Sequence, residues 1–106
     1  MGSKNSLAVQ NNIGCIGFCE KSKVYAVGLG NIYVNLNKNS LQQLKRALDL
    51  SNDNIKFKQK EQRIFIETPL DNFYISLTQN ELLESIDLIN KMFFEEELAD
   101  LKKLLI

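Results

Sequence analysis

The chain has no histidine and no tryptophan, and only one proline and two cysteines among its 106 residues. Lacking histidine, it has neither the commonest general base nor the commonest metal ligand, so base-assisted nucleophilic catalysis and metal chemistry are poorly supported. The expectation is a protein that is not an enzyme, with no catalytic residue, no cofactor and no metal. Net charge is missing too. Thirteen basic and thirteen acidic side chains cancel, which removes the strong positive field that non-specific nucleic-acid binding needs. No apolar run approaches the roughly 18 residues of a membrane span, and the opening MGSKNSLAVQNN has no apolar core of a secretory signal. The expected location is the cytoplasm, with neither membrane nor nucleic acid as partner. In that setting Cys15 and Cys19 read as reduced thiols. On a regular strand they share a face about 13 Å apart, out of joint reach of a disulfide or metal unless a bulge intervenes.

What is present is an ordinary globular composition, 44% apolar and 25% charged, enough for one domain with one core. Charge is unevenly spread: residues 1–50 carry a net +4 and residues 51–106 a net −4. The strongest internal signal is an echo. Leu29 to Leu41 (LGNIYVNLNKNSL) recurs 41 positions later as Leu70 to Leu82 (LDNFYISLTQNEL), with Leu29/Leu70, Asn31/Asn72, Tyr33/Tyr74, Leu36/Leu77, Asn39/Asn80 and Leu41/Leu82 identical. This predicts a duplicated unit.

Residues 1–11 are polar and unpatterned and read as a flexible arm. Three β-rich runs follow, Ile13 to Cys19, Lys23 to Gly28 and Asn31 to Leu36, separated by Glu20-Lys21-Ser22 and by a Gly-containing turn at Gly30-Asn31. This is the signature of a meander. Ile32, Val34 and Leu36 alternate with Tyr33 and Asn35, and in the copy Phe73, Ile75 and Leu77 alternate with Tyr74 and Ser76; the first set of each faces the core. Asn37 and Thr78 stand at helix N-cap positions, the latter in a capping box with Glu81. The helices that follow use Leu41, Leu44, Ala47 and Leu48, and Leu82, Ile86, Ile89 and Phe93, as apolar stripes. Ser51 to Asn54 reads as the linker, and Ile55 to Gln59 and Ile64 to Glu67 as further strands. The predicted architecture is α+β: two βββα repeats, 12–50 and 54–93, with antiparallel meanders and helices packed on one face, followed by a helical extension over 94–106.

Several features admit two readings. Glu95-Glu96-Glu97 with Asp100 is a solvated helix face or a cation site, and Gly28 with Gly30 a hairpin turn or a truncated phosphate loop. Lys56, Lys58 and Lys60, alternating with Ile55 and Phe57, protect an edge strand or touch phosphates. Tyr33 and Tyr74, with Tyr25 nearby, are half-buried packing between strands or a partner-binding surface. Nothing stops the second helix early, for Lys91 to Ile106 contains neither Gly nor Pro. Past Phe93 its stripe shifts to Phe94, Leu98, Leu101 and Leu105, implying a bend near Glu95 or a drift of the face. These four residues fold back on the sheet or, as favoured by their 4-3-4 spacing, form a self-association face for a homodimer. The expected function is a non-enzymatic interaction or regulatory module with a possible protein partner. The alternative is a small-ligand binder using a cleft between the repeats.

Cys19-Glu20-Lys21-Ser22, Leu29-Gly30-Asn31-Ile32 and Leu77-Thr78-Gln79-Asn80-Glu81-Leu82 together resemble recurrent elements of a small family of uncharacterised bacterial proteins of about a hundred residues: a Cys-Glu-x-Cys-like element, a Phe-Gly-Asn-Ile-like turn and a Leu-Ser/Thr-x-x-Glu-Leu helix start. The resemblance implies no activity. Ser22 stands where it implies a second cysteine, so a thiol-pair role is in doubt here.

Overall fold

The computed structural model describes residues 7–105. Six strands and two helices follow in the order β1 (Leu7–Gln10), β2 (Gly14–Cys19), β3 (Val24–Leu29), β4 (Ile32–Leu36), α1 (Lys38–Asn54), β5 (Ile64–Glu67), β6 (Tyr74–Leu77) and α2 (Gln79–Leu104). β1 to β4 form an antiparallel meander in sequence order, and β5 and β6 a separate two-stranded hairpin. The fold is α+β, as the patterns predict.

Alternation decides which face of the sheet is covered. Tyr25, Val27 and Leu29 are buried along β3 while Ala26 and Gly28 between them are not, and β2 and β4 follow suit with Ile16 and Leu36. Leu41, Leu44 and Leu48 of α1 and Leu82, Leu88, Ile89 and Met92 of α2 close that face, α2 over β1 and β2 and α1 over β3, β4 and β5. Ile64, Ile66, Ile75 and Leu77 add the inner face of the hairpin to the same core. At Gly30 a φ of +61° permits the two-residue β3–β4 turn.

Three expectations require correction. The arm assigned to residues 1–11 is a strand over Leu7–Gln10, registered on β2 from Leu7 opposite Phe18 to Gln10 opposite Cys15; residues 1–6 lie outside the described residues. Leu7 and Val9 are only two apolar alternations, too short a pattern to register, yet both pack on the core. The linker at 51–54 is the last turn of α1, where Ile55 N–H donates to Ser51 O and Asn54 Nδ2 to Leu50 O. Ile55 to Gln59 is not a strand. Ile55 and Phe57 do turn inward, but Lys58 N–H donates to Gln62 Oε1 and Gln62 N–H to Gln59 O. Those local bonds curl the chain into a turn, so no ladder forms.

The duplicated βββα unit is accordingly not confirmed, since among the described residues four strands precede α1 and only two lie between α1 and α2. What the halves share is a hairpin followed by a capped helix, and even there the registers disagree. Leu36 pairs with Tyr25, which the 41-residue offset carries to Ile66, whereas Leu77 pairs with Ile64. The second hairpin has slipped by two residues because Pro69 to Asn72 makes a longer connection than Gly30-Asn31, closed by Thr68 N–H donating to Phe73 O.

One glycine is required by close approach. A Cβ on Gly14 would sit 1.8 Å from Gly28 O on β3, whereas at Gly17 the nearest atom is 3.9 Å away. Gly14→Ala should therefore destabilise the fold by about 2 kcal/mol or more, and Gly17→Ala should stay within about 0.5 kcal/mol of the parent. Chemical denaturation of the two variants checks this; equal midpoints would contradict it.

Candidate functional site

Helix α2 starts from a complete capping box: Thr78 Oγ1 accepts from Glu81 N–H and Glu81 Oε1 accepts from Thr78 N–H. With no Gly or Pro inside, it runs for 26 residues. The buried stripe is Leu82, Ser85, Leu88, Ile89 and Met92; the predicted Ile86 and Phe93 lie at its margin, packed against the core but only partly covered. The helix continues without interruption past Glu95 and its sheet-facing side continues through Glu96 and Ala99, so Phe94, Leu98, Leu101 and Leu105 form a second face, not a drift of the first.

Beyond Phe93 two sides of α2 behave differently. Glu96, Ala99 and Lys103 turn toward the sheet, where they line a cleft of about 150 Å³ with Leu7, Phe18 and Lys38. The other side carries Phe94 (57% exposed), Leu101 (54%), Leu104 (81%) and Leu105 (86%), with Leu98 half-buried among them. A shallow open hollow of about 340 Å³ runs between Phe94, Leu98, Leu101 and Leu104. All four predicted self-association residues thus lie on one side of one helix end.

The sheet-facing side is fastened by a polar chain. Tyr25 OH donates to Glu96 Oε2, Lys38 Nζ lies 3.5 Å from Glu96 Oε1, and the same ammonium sits 5.7 Å from the Phe93 ring centroid. Burial and the neighbouring Glu96 carboxylate push the Tyr25 phenol well above its ordinary value. A phenol held protonated against a carboxylate is a clamp. Tyr25 is 1% exposed and belongs to the core face, which corrects the expectation that it lies near Tyr33. Inward alternation with Val27 and Leu29 was the signal available for this. Glu96 follows Ile89 by seven and Met92 by four, so continuation of the inward stripe was the signal that separates it from Glu95 and Glu97.

Tyr33 (68% exposed) and Tyr74 (54%) both point outward, but they occupy different sheets and different grooves. Tyr33, its hydroxyl donating to Asn35 Oδ1 at 3.0 Å, borders an open trough of about 600 Å³ on the outer face of the meander, floored by Ala8, Gly17 and Ala26. Tyr74 borders a groove of about 450 Å³ between the β3–β4 turn and β6, with Arg63, Ser76 and Glu81. They form no single contact surface. Phe65, not singled out as a contact residue from the sequence, is 76% exposed and diagonal to Tyr74 across the hairpin; its place between inward Ile64 and Ile66 was the signal for it. Cys15 and Cys19 are free and exposed. Hydrogen bonding from the Ser22 hydroxyl, then from the Ser22 and Lys21 backbone, lowers the Cys19 thiol below its ordinary value. Among the described residues no group of three His, Cys, Asp or Glu could hold a metal ion, and no helix is long and apolar enough to cross a membrane.

The model of a family of unknown function, DUF6686, matches residues 1–94. The chain belongs to this family. Every strand, all of α1 and the first part of α2 fall within the DUF6686 match, including the Cys19 to Ser22 and Leu29 to Ile32 elements; residues 95–106 lie beyond it. No curated protein and no solved structure matches the chain.

The raised folded value of Tyr25 fixes the sign of a pH effect. Its contribution to stability is complete below the unfolded phenol value and is lost as pH rises toward the folded one. In a Tyr33→Phe/Tyr74→Phe variant, where Tyr25 is the only tyrosine left, phenolate absorbance should therefore rise together with loss of helical circular dichroism. Ionisation well before unfolding would contradict the clamp.

Proposed function

We propose that this chain is a non-enzymatic interaction or regulatory module of the cytoplasm that forms a homodimer through the free end of α2. The observation that carries the reading is the exposure of Phe94, Leu101 and Leu105, with Leu98 between them, on a helix end that no other described element covers. Full burial of one such side chain is worth about 1.5–3 kcal/mol. Eight of them from two copies, even at half that value for side chains already partly covered, are comparable with an association cost of roughly 4–15 kcal/mol. Tyr33 and Tyr74, on separate grooves, are left for other partners.

Light scattering tests this. The parent should have the mass of a dimer, and Leu98→Glu with Leu101→Glu should halve it while circular dichroism stays near the parent's, because Leu101 is already 54% exposed within one copy, and melting should fall only by the dimer's concentration-dependent share. A monomeric parent, or a variant that still dimerises, would defeat the proposal.

A second reading, a small-ligand binder, is favoured by the groove where Arg63, Tyr74, Ser76 and Glu81 converge between the meander and the second hairpin. A thermal-shift screen against polar metabolites measures it: at a hundredfold excess over its dissociation constant a ligand adds about 2.7 kcal/mol to the folded state. A flat screen would remove this reading.

A further inference from the structure

We propose that the two α2 ends pair antiparallel, with the twofold axis crossing between Ala99 and Asp100. This rests on the self-association reading and adds its direction and register. Reversal about that point carries Phe94 onto Leu105 and Leu98 onto Leu101, so each apolar side chain of the 4-3-4 set meets an apolar one: Leu98 against the partner's Leu101, Phe94 against the partner's Leu105.

Charge and geometry select the direction. On the outer side of this helix end the exposed Glu95 and Glu97 precede the exposed Lys102. A parallel pair in register sets Glu95 level with its own copy and out of reach of Lys102, and an antiparallel pair brings it close to the level of the partner's Lys102. Antiparallel alignment also opposes the two helix dipoles. The rest of each α2 lies on its own sheet, so a parallel pair would crowd two sheets together at one end, while an antiparallel pair places them at opposite ends.

The flanks of the stripe make this specific. Glu95 and Lys102 are seven residues apart and lie on one edge of the apolar stripe, and both are exposed; Glu97 and Leu104 lie on the other. In an antiparallel pair like edges meet, which sets Glu95 beside the partner's Lys102, about 3 Å out of level, and by symmetry Lys102 beside the partner's Glu95. In a parallel pair unlike edges meet, and Lys102 has the partner's Glu97 as its neighbour instead. Glu95 therefore has a basic neighbour only in the antiparallel pair. Glu96 and Lys103, which face the cleft against the sheet, take no part.

A charge exchange across separate molecules tests the register. Glu95→Lys and Lys102→Glu, each alone, place like charges at both contacts and should weaken the homodimer about tenfold. Mixing the two variants restores opposite charges at both contacts, so the mixture should recover the parent's dimer affinity in sedimentation equilibrium. Circular dichroism of each variant should match the parent's, since both positions are solvent-exposed within one copy. If the parent dimerises but the mixture does not recover, the antiparallel register is wrong and self-association stands. If the parent is a monomer at all accessible concentrations, both fall.

Discussion

A helix of 26 residues is about 39 Å long at 1.5 Å per residue. The sheet beneath it has four strands of four to six residues, spanning about 20 Å in either direction at strand spacings near 4.8 Å. The mismatch between these two lengths governs the molecule. The first part of α2, through Met92, closes the core face; the rest is held by the polar chain from Tyr25 and by Lys38, then leaves the sheet behind. Because the capping box starts the helix at Gln79 and nothing in its interior stops it, the excess length must end in solvent or on another molecule.

Polar groups at this junction are placed to keep the helix in one position. Asn11 Nδ2 donates to Glu84 O at 2.9 Å while Asn11 Oδ1 accepts from Ile13 N–H, so one side chain binds the β1–β2 turn to the first half of α2. Glu96 does the same for the second half through Tyr25. A buried phenol without its acceptor would leave an unpaired donor, which is costly in a low-dielectric interior. Among the described residues no buried side-chain nitrogen or oxygen lacks a partner. Held at both points, the helix has little freedom to roll its outer apolar side toward the sheet. That is why exposure of Phe94, Leu101 and Leu105 is a property of the fold and not of one rotamer. The DUF6686 match ends at Phe94, so Leu98, Leu101 and Leu105 lie beyond it.

The echo between Leu29–Leu41 and Leu70–Leu82 illustrates what a repeat in sequence does and does not carry. It captures the strand, the cap and the helix start, which are local and depend on residue types a few positions apart. It does not extend to a repeated sheet: β1 and β2 have no counterparts, and the second hairpin is two residues out of register with the first. The identities impose the same local geometry from the strand onward, with Leu36 and Leu77 both buried and the neighbouring Asn37 and Thr78 both capping, but not in the turn, where Leu29 is buried and Leu70 is 42% exposed and the positive φ falls on Gly30 in one and Asn72 in the other. They do not set what lies on either side of the strand.

Periodicity, turn chemistry and capping made the α+β class, strands β2 to β6, both helix starts and the outward direction of Tyr33 and Tyr74 readable from residues alone, because each depends on neighbours within about four positions. The overrun of α2 was readable too, from an absence of helix stops. Other features required distant chain to meet. Leu7–Gln10 becomes a strand only because the edge of β2 is free to pair with it. Ile55 to Gln59 does not become one because Gln62 takes its backbone bonds. Of three consecutive glutamates Glu96 alone reaches the Tyr25 hydroxyl. Local pattern sets which side of each element is apolar; tertiary packing decides which of those sides is covered, and among the described residues it leaves one end of one helix bare.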